Sequence, residues 1–237
     1  LWKNEDITDP NSSWTLIPDV PGNMNISCIT VDPNDSYTWY IGTGEQYTAG
    51  AAVGNGVYKT EDAGVTWNLI HVNLAGGGTV GTDFAGLFFI NDIVAWNHLD
   101  WDGLGNNRTE IFIGVGTHRY RDANPDNYLG FQNAGLYRSV NDGANWSRIE
   151  SSNFELAGWN GYFILPNDFE ISTDINTGNT TLWMGSIRTP GTISGGGKIF
   201  SSTDGSTWIE AGASPLPNSN RVELAVSSTN VSKLYAL

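Results

Sequence analysis

The sequence predicts an all-β protein built from repeated four-stranded antiparallel units. Three observations lead to this prediction: a composition rich in glycine and aromatic residues, a turn motif that recurs along the chain, and pairs of short apolar strands that accompany it. The 237 residues include 29 glycines and 10 tryptophans. Short aromatic and β-branched runs separated by glycine-rich turns are typical of strands and leave little room for long helices.

In its two fullest copies the recurring motif starts at a glycine, passes through an apolar and an aromatic residue into a polar turn, and reaches a tryptophan. Its copies lie at 8–17, 56–70, 135–149 and 199–208. The first copy is degenerate. The last copy has a turn that is one residue shorter than the turns of the middle two. Recurrence of a turn at intervals of tens of residues predicts a repeat architecture.

Two short apolar strands stand upstream of each complete copy, and the second of them ends in glycine. A further pair follows the last copy. In chain order the pairs are 26–32 with 39–44, 93–96 with 111–116, 169–172 with 182–186, and 222–226 with 234–237. Each unit therefore has four strands, which we call A to D, and the recurring motif forms the turn from C to D.

Four antiparallel strands repeated at roughly 50 to 80 residues are the blade pattern of a β-propeller, in which radial stacking protects the strand edges. We therefore predict that 1–237 is one β-propeller segment and an incomplete part of a larger propeller. The alternative, in which the two ends join, gives a closed ring of about four blades. The predicted parts are the D strand of a preceding blade at 1–17, blades at 25–70, 90–149 and 167–210, and the A and B strands of a further blade at 221–237.

The segment from Thr60 to Trp67 resembles the Asp-box of the BNR-repeat families, which include sialidases, xyloglucan-cleaving endoglucanases, photosystem assembly factors and sortilin-type receptors. With the run at 40–45, the chain is most similar to the sortilin-like and BNR-like propellers of secreted bacterial proteins. Other copies depart from the box, with Asn141 in place of its aspartate and Gly205 directly after Asp204.

The resemblance implies that the box residues are structural, because the box lies on the propeller face opposite the usual active site. Hydrogen bonding of the aspartate within its own turn, a glycine with positive φ and a buried tryptophan ring explain the residue types. The structural box residues are Thr60, Asp62, Gly64, Trp67, Ser139, Asn141, Gly143, Trp146, Ser202, Asp204, Gly205 and Trp208.

Ligand binding is expected at the opposite face, which by the resemblance carries the B-to-C and D-to-A connections. Loops that a rigid scaffold positions often carry function. Aromatic rings beside arginine and glutamate suit a sugar-stacking groove or a protein-binding patch. The alternative is that these loops are solvated or pack against another domain. The binding candidates are Glu45, Tyr47, His118, Arg119, Tyr120, Arg121, Arg188, Trp159 and Tyr162.

Two enzyme activities compete with pure binding. A sialidase needs an arginine triad, and the run from Arg188 to Pro190 resembles the family's arginine motif but follows a late B strand, whereas the family's motif precedes the boxes. A glycoside hydrolase needs two carboxyl groups about 5 to 9.5 Å apart. The loop carboxylates that could supply them are Glu45, Asp83, Asp122, Asp126, Glu155 and Asp168.

Composition argues against several other classes. Eleven Lys and Arg against 25 Asp and Glu give a net charge of −14, which does not suit a nucleic-acid binder. No run of 18 apolar residues occurs, so no membrane insertion is predicted. Cys28 is the single cysteine and is expected in the core, so no intrachain disulfide forms.

We expect no cofactor. The histidines at 71, 98 and 118 are scattered, so no zinc constellation is evident. The acidic turns at 100–107 and 174–179 are weak candidates for calcium, because Asp, Asn and Gly are common in any tight turn.

The sequence thus favours a non-catalytic secreted or cell-surface scaffold that binds a protein or a glycan and belongs to a larger multidomain bacterial polypeptide. Other domains of that polypeptide are expected partners. The alternative is a glycoside hydrolase, endoglucanase-like or sialidase-like, that acts at the channel mouth. A third possibility is a purely structural section of a surface assembly.

Overall fold

The computed structural model describes residues 1–17, 25–44, 54–75, 79–80, 88–117, 133–156, 159–187, 197–212, 216, 221–227, 230–231 and 233–237. The regular elements of these residues are twenty β-strands. The fold is therefore all-β, as the sequence predicts.

Three four-stranded antiparallel sheets form the body of the protein, and in each of them the strands lie in chain order. We number these sheets as blades 1 to 3 and keep the letters A to D for their strands. Blade 1 contains β3 (Ile26–Asp32), β4 (Asp35–Thr43), β5 (Val57–Thr60) and β6 (Asn68–Ile70). Blade 2 contains β9 (Phe88–His98), β10 (Arg108–Thr117), β11 (Gly135–Ser139) and β12 (Ser147–Arg148). Blade 3 contains β15 (Leu165–Thr173), β16 (Thr180–Ile187), β17 (Ile199–Ser202) and β18 (Ile209–Glu210).

A two-stranded sheet lies at each end of the chain. At one end β1 (Trp2–Lys3) pairs with β2 (Thr15–Leu16), and at the other β19 (Leu224–Val226) pairs with β20 (Leu234–Ala236). The sequence predicts one strand in 1–17, and the structure contains two. A two-residue strand is too short to show alternation of apolar and polar residues, which explains why β1 escapes a pattern search.

Two further hairpins occupy the connections from D to A strands. One pairs β7 (Val72–Asn73) with β8 (Thr79–Val80), and the other pairs β13 (Glu155–Leu156) with β14 (Trp159–Phe163). The prediction that Trp159 and Tyr162 lie in a loop is therefore wrong, because both are on β14. Aromatic residues favour strands, and the buried Phe163 helps to anchor this hairpin to the core.

The A strands make the contacts that order the blades. β3 contacts β9, β9 contacts β15, and β15 contacts β19. The first strands of successive sheets therefore lie side by side, and the sheets follow one another around them, which is the arrangement of propeller blades.

Apolar side chains fill the spaces between blades. Phe112 of blade 2 meets Trp208 of blade 3 edge to face, with ring centroids 6.0 Å apart. Met184 and Phe200 of blade 3 belong to the same buried cluster. A second cluster joins blades 1 and 2 through residues such as Tyr40. The cores thus lie between sheets, so the stability of each blade depends on its neighbour.

The C-to-D turns of the three blades share one hydrogen-bonding pattern. A buried hydroxyl accepts the backbone N–H of the turn glycine at 2.9 Å in every case: Thr60 from Gly64, Ser139 from Gly143, and Ser202 from Gly205. All three glycines have positive φ, a conformation that glycine adopts without steric cost.

The acidic or amide residue of each turn closes it from the other side. In blade 1 the hydroxyl of Thr60 donates to Asp62 Oδ1 at 2.7 Å, and Thr66 donates its N–H to the same oxygen at 2.8 Å. Hydrogen bonds from Thr66 and Thr60 lower the pKa of Asp62 to about 2. In blade 2 Asn141 Oδ1 takes the same position and accepts N–H from Asn145 at 2.9 Å. These bonds stay within the turn, which is consistent with a folding role.

Candidate ligand-binding site

Most of the predicted binding residues lie outside the described residues. Trp159 and Tyr162 are on β14, and their binding roles stay predictions. The binding candidates outside the described residues are Glu45, Tyr47, His118, Arg119, Tyr120, Arg121 and Arg188, and the carboxylates Asp83, Asp122 and Asp126 are outside them as well.

The strand register does define the face that these predicted loops extend. The last residues of the B strands pair with the first residues of the A strands: Thr43 with Ile26, Thr117 with Phe88, and Ile187 with Leu165. The B-to-C connections therefore start at the end of each blade where its inner strand begins. We call this end of the molecule the loop face.

Each A strand carries a β-bulge close to the loop face. The extra residues are Ser27, Asn91 and Asn167. Bulges bend a strand and redirect its side chains, and they are common near functional sites. Here the bulge turns a polar side chain of each inner strand toward the next blade.

A glycine of the B strand lies opposite each bulge. Gly42, Gly114 and Gly185 pair with Cys28, Asp92 and Asp168, respectively. A Cβ atom on Gly42 would lie 2.5 Å from Ile90 Cγ2, one on Gly114 would lie 2.9 Å from Pro166 Cβ, and one on Gly185 would lie 2.7 Å from the Val222 carbonyl oxygen. A glycine inside each B strand, near its loop-face end, therefore makes room for the inner strand of the next blade.

The bulged side chains bond to that same neighbouring strand. Ser27 Oγ donates to the carbonyl of Ile90 at 2.7 Å. Asn91 Nδ2 donates to the carbonyl of Pro166 at 2.9 Å. In the last instance, Asn167 Nδ2 donates to Val222 at 2.7 Å. One contact thus repeats between all successive blades, from a polar bulge residue to a backbone carbonyl.

Two aspartates extend these contacts. Asp92 Oδ2 accepts the N–H of Phe169 at 2.7 Å, and Asp168 Oδ2 accepts the N–H of Leu224 at 2.5 Å. Burial raises the pKa of Asp92 to about 7, with further contributions from the negative charges of Asp168 and Glu223. Burial likewise raises the pKa of Asp168 to about 6, and Glu223 again adds to it. We call Asp92, Asp168 and Glu223 the carboxylate row.

The raised pKa values of Asp92 and Asp168 suit proton transfer, so this pair has the electrostatic character of an acid–base site. The loop assignment of two predicted carboxylates is wrong: Asp168 lies on β15 and Glu155 on β13. Asp92 and Glu223 are not among the candidate carboxylates named from the sequence. The signal that could have found Asp92 is the Asn-Asp pair that recurs at 91–92 and 167–168.

Cys28 lies between blades 1 and 2 and is only partly buried as a whole residue. Its sulfur lies where a Cβ on Gly42 would come within 2.4 Å. Burial raises the pKa of the Cys28 thiol well above its usual value, so the group stays a protonated packing element rather than a nucleophile.

Metal binding gains no support from the described residues, in which no three His, Cys, Asp or Glu side chains converge to hold an ion. In the turn at 100–107, Asp100 Oδ1 accepts the N–H of Gly105 at 2.5 Å, and Asp102 Oδ1 accepts that of Leu104 at 2.9 Å. In the described part of the chain, no helix is long and apolar enough to cross a membrane.

Comparisons with known proteins found sequences and structures that are named as xyloglucanases or GH74 enzymes. No family model matches the chain. Two curated sequences, both named xyloglucanase Xgh74A from Acetivibrio thermocellus, are 27% identical over 153 residues, which cover 60% of this chain and 15% of theirs. The chain thus spans about one seventh of the length of these relatives.

Among solved structures, the GH74 xyloglucanase of Xanthomonas campestris is 16% identical with a TM-score of 0.41, covering 89% of this chain and 34% of that one. The GH74 enzyme of Niastella koreensis is 17% identical with a TM-score of 0.42, covering 88% and 33%. Scores of this size do not establish a common fold, so the propeller assignment rests on strand order and blade contacts.

Proposed function

We propose that the protein is a non-catalytic β-propeller scaffold of the Asp-box type that binds a glycan at its loop face, as part of a larger multidomain protein. The observation that carries the proposal is the 27% identity to sequences named xyloglucanase over 153 residues. The repeated turns, with their hydroxyl, carboxylate and glycine contacts, support the Asp-box assignment.

A neutral polysaccharide suits this protein better than a charged one. The net charge of −14 repels anionic polymers at long range, whereas it has little effect on an uncharged glucan. A ligand related to xyloglucan also fits a location outside the cell or on its surface, where such polymers occur.

The carboxylate row supports binding without catalysis. A glycosidase needs carboxyl groups that face the substrate, but Asp92 and Asp168 each use an oxygen to accept a backbone N–H from the next blade. Their described contacts lie within the protein, where they fix the distance between inner strands.

Affinity electrophoresis tests the proposal. The protein is run through gels that contain xyloglucan, polygalacturonate or no polymer, and release of reducing ends is measured in parallel. We expect retarded migration in xyloglucan alone and no release of reducing ends. Equal migration in all three gels would refute glycan binding.

A glycoside hydrolase is the second candidate, and the raised pKa values of Asp92 and Asp168 favour it. A general acid needs a carboxyl group that stays protonated near neutral pH. The test compares Asp92→Asn and Asp168→Asn with the unmodified protein, because the amide oxygen can still accept the backbone N–H. Release of reducing ends that both variants abolish would establish hydrolysis and overturn the non-catalytic proposal.

A further inference from the structure

Because neighbouring strands are antiparallel, the A-to-B and C-to-D turns of the three blades lie at the end opposite to the loop face. We call that end the turn face. Its turns are 33–34, 61–67, 99–107, 140–146, 174–179 and 203–208. They contain no Lys, Arg or His, but they contain seven acids: Glu61, Asp62, Asp100, Asp102, Asp142, Asp174 and Asp204. These turns therefore supply negative charge and no positive charge to the turn face.

Exposed apolar side chains occur in the same turns. Leu104 and Ile175 are 81% and 86% exposed, and Tyr37, near the start of β4, is 64% exposed. The exposed apolar residues of these turns and of the adjoining strand end are Tyr37, Val65, Leu99, Trp101, Leu104, Val140 and Ile175. A lone exposed apolar residue is common on any protein surface. Apolar residues that share one face with a polar surround are typical of interaction surfaces.

Blades 1 and 2 bring both features together at one place. In blade 1 the N–H of Ala63 donates to the carbonyl of Tyr37 at 2.9 Å, which joins the C-to-D turn to the start of the B strand. Among the described residues, the buried Tyr40 hydroxyl has no hydrogen-bond partner, so it does not donate to any carboxylate. Burial raises the pKa of Tyr40, and four negative charges raise it further: those of Asp142, Asp32, Glu61 and Asp35. Carboxylates at both turns of blade 1 and at the C-to-D turn of blade 2 therefore lie near one tyrosine.

The charge of these four carboxylates is only partly compensated. Lys59 Nζ lies 2.7 Å from Glu61 Oε1, so one ammonium stands against four carboxylates. Hydrogen bonds from the Thr38 hydroxyl and the Tyr37 N–H hold the pKa of Asp35 below its usual value. Asp35 therefore stays ionised, and the place where blades 1 and 2 meet is negative.

We propose that this place is a docking surface for a basic segment of a protein partner, in which lysine or arginine alternates with apolar residues. We call it the junction patch, and its exposed residues are Asp35, Tyr37, Glu61, Val65, Val140 and Asp142. The carboxylates pair with the cations of the segment, and the apolar side chains leave water on contact with its apolar residues. A second copy of this chain, with its own net charge of −14, is repelled. The junction patch lies at the opposite end from the loop face, and the proposal does not rest on glycan binding.

Fluorescence anisotropy with three labelled peptides tests the proposal. In the peptides, Lys alternates with Leu, Lys alternates with Ser, or Glu alternates with Leu. We expect saturable binding of the Lys–Leu peptide that weakens as salt is added. The Lys–Ser peptide should bind at least about fivefold more weakly because it lacks apolar contacts, and the Glu–Leu peptide should not bind. Equal affinity for the Lys–Leu and Lys–Ser peptides, or no saturable binding of either, would overturn the proposal.

A charge variant locates the surface. Glu61→Gln combined with Asp142→Asn removes two carboxylates from the junction patch and should weaken binding of the Lys–Leu peptide about fivefold, since two exposed ion pairs are lost. The matched control is Glu150→Gln combined with Glu210→Gln, which removes two exposed carboxylates at D strands. It should bind as the unmodified protein does. Equal weakening in both double variants would mean that the peptide responds to net charge alone, which contradicts a local docking surface.

An apolar variant tests the other half of the contact. Tyr37→Ser should weaken binding of the Lys–Leu peptide severalfold because a large apolar contact is lost. Tyr235→Ser, at a strand tyrosine that is 60% exposed on β20, is its control and should bind normally. Unchanged affinity in Tyr37→Ser would overturn the proposal. Retardation in xyloglucan gels should persist in all of these variants, which separates failure of the junction patch from failure of the loop-face site.

Discussion

At the residue scale, single atoms decide how closely blades approach. At each B-strand glycine, the inner strand of the next blade occupies the space that a side chain would need. The two inner-strand aspartates are largely buried, and each accepts a hydrogen bond from a backbone N–H of the next blade. Both features have consequences that single substitutions measure.

Gly42→Ala should destabilise the protein by about 3 kcal/mol, since a methyl group there overlaps Ile90 and Cys28 and overpacking of a core costs about 1 to 3 kcal/mol or more. Gly103→Ala is the control. It has open space around it and a φ of +71°, so it should lose only about 1 kcal/mol from backbone strain. Urea unfolding measures both, and equal losses would show that the close approach at Gly42 is not limiting.

Asp92 makes stability depend on pH. Its pKa is raised to about 7 in the folded protein, so the stabilisation from its protonated form is complete below about pH 4 and is lost as pH rises through about 7. We therefore expect the free energy of unfolding to fall between pH 5 and pH 8 in the unmodified protein. Asp92→Asn should reduce this slope, and the part that remains belongs to Asp168, whose pKa is raised to about 6.

The control for that series is Asp142→Asn at an exposed turn position, which should leave the slope unchanged. Denaturant midpoints at four pH values between pH 5 and pH 8 supply the comparison. An Asp92→Asn protein that keeps the full slope would place the titrating group elsewhere.

At the element scale, the C-to-D turns are the best-predicted parts of the molecule, because their bonds join residues that are two to four positions apart. The residues that form such a turn lie within eight consecutive positions of the sequence, so the motif can be recognised there directly. The blade contacts are different, since the hydrogen bond from Phe169 to Asp92 joins residues 77 positions apart. The glycine that follows each run of apolar B-strand residues is visible in the sequence, but the atoms that require it belong to the next blade.

The short hairpins could not be predicted from the sequence patterns either. Strands such as β7 and β13 have two residues each, which is too few for a period-two signal. The loop candidates for binding mostly fall outside the described residues, so the scaffold could be predicted from the sequence far better than the site.

Thr60→Val tests the shared turn. It removes the hydroxyl that accepts the Gly64 N–H and donates to Asp62, and a buried N–H left unpaired costs about 1 to 3 kcal/mol. Thr60→Ser should retain nearly all of the stability, because Ser139 and Ser202 make the same bond in the other two blades. Thermal unfolding of the two variants gives the answer, and equal losses would mean that the methyl group rather than the hydroxyl matters.

At the scale of the whole molecule, the described residues form an acidic scaffold in which inner strands touch and the cores lie between sheets. If the protein binds a polymer as proposed, we expect its selectivity between neutral and charged polymers to follow from the net charge rather than from any one residue.

Binding of a neutral glycan should be nearly independent of ionic strength. The attraction involves no ion pairs with the ligand, so screening of the net charge of −14 leaves it unchanged. We expect the dissociation constant for xyloglucan to vary less than about twofold between low and high salt. Affinity that falls steeply as salt is added would indicate a charged ligand instead.

On the proposed function, the protein binds a glycan and does not cleave it. Isothermal titration with xyloglucan oligosaccharides, followed by mass spectrometry of the recovered ligand, tests both halves of that claim in one sample. Saturable heat with every ligand mass unchanged is the predicted result. Shortened oligosaccharides, or no heat at millimolar ligand, would contradict it.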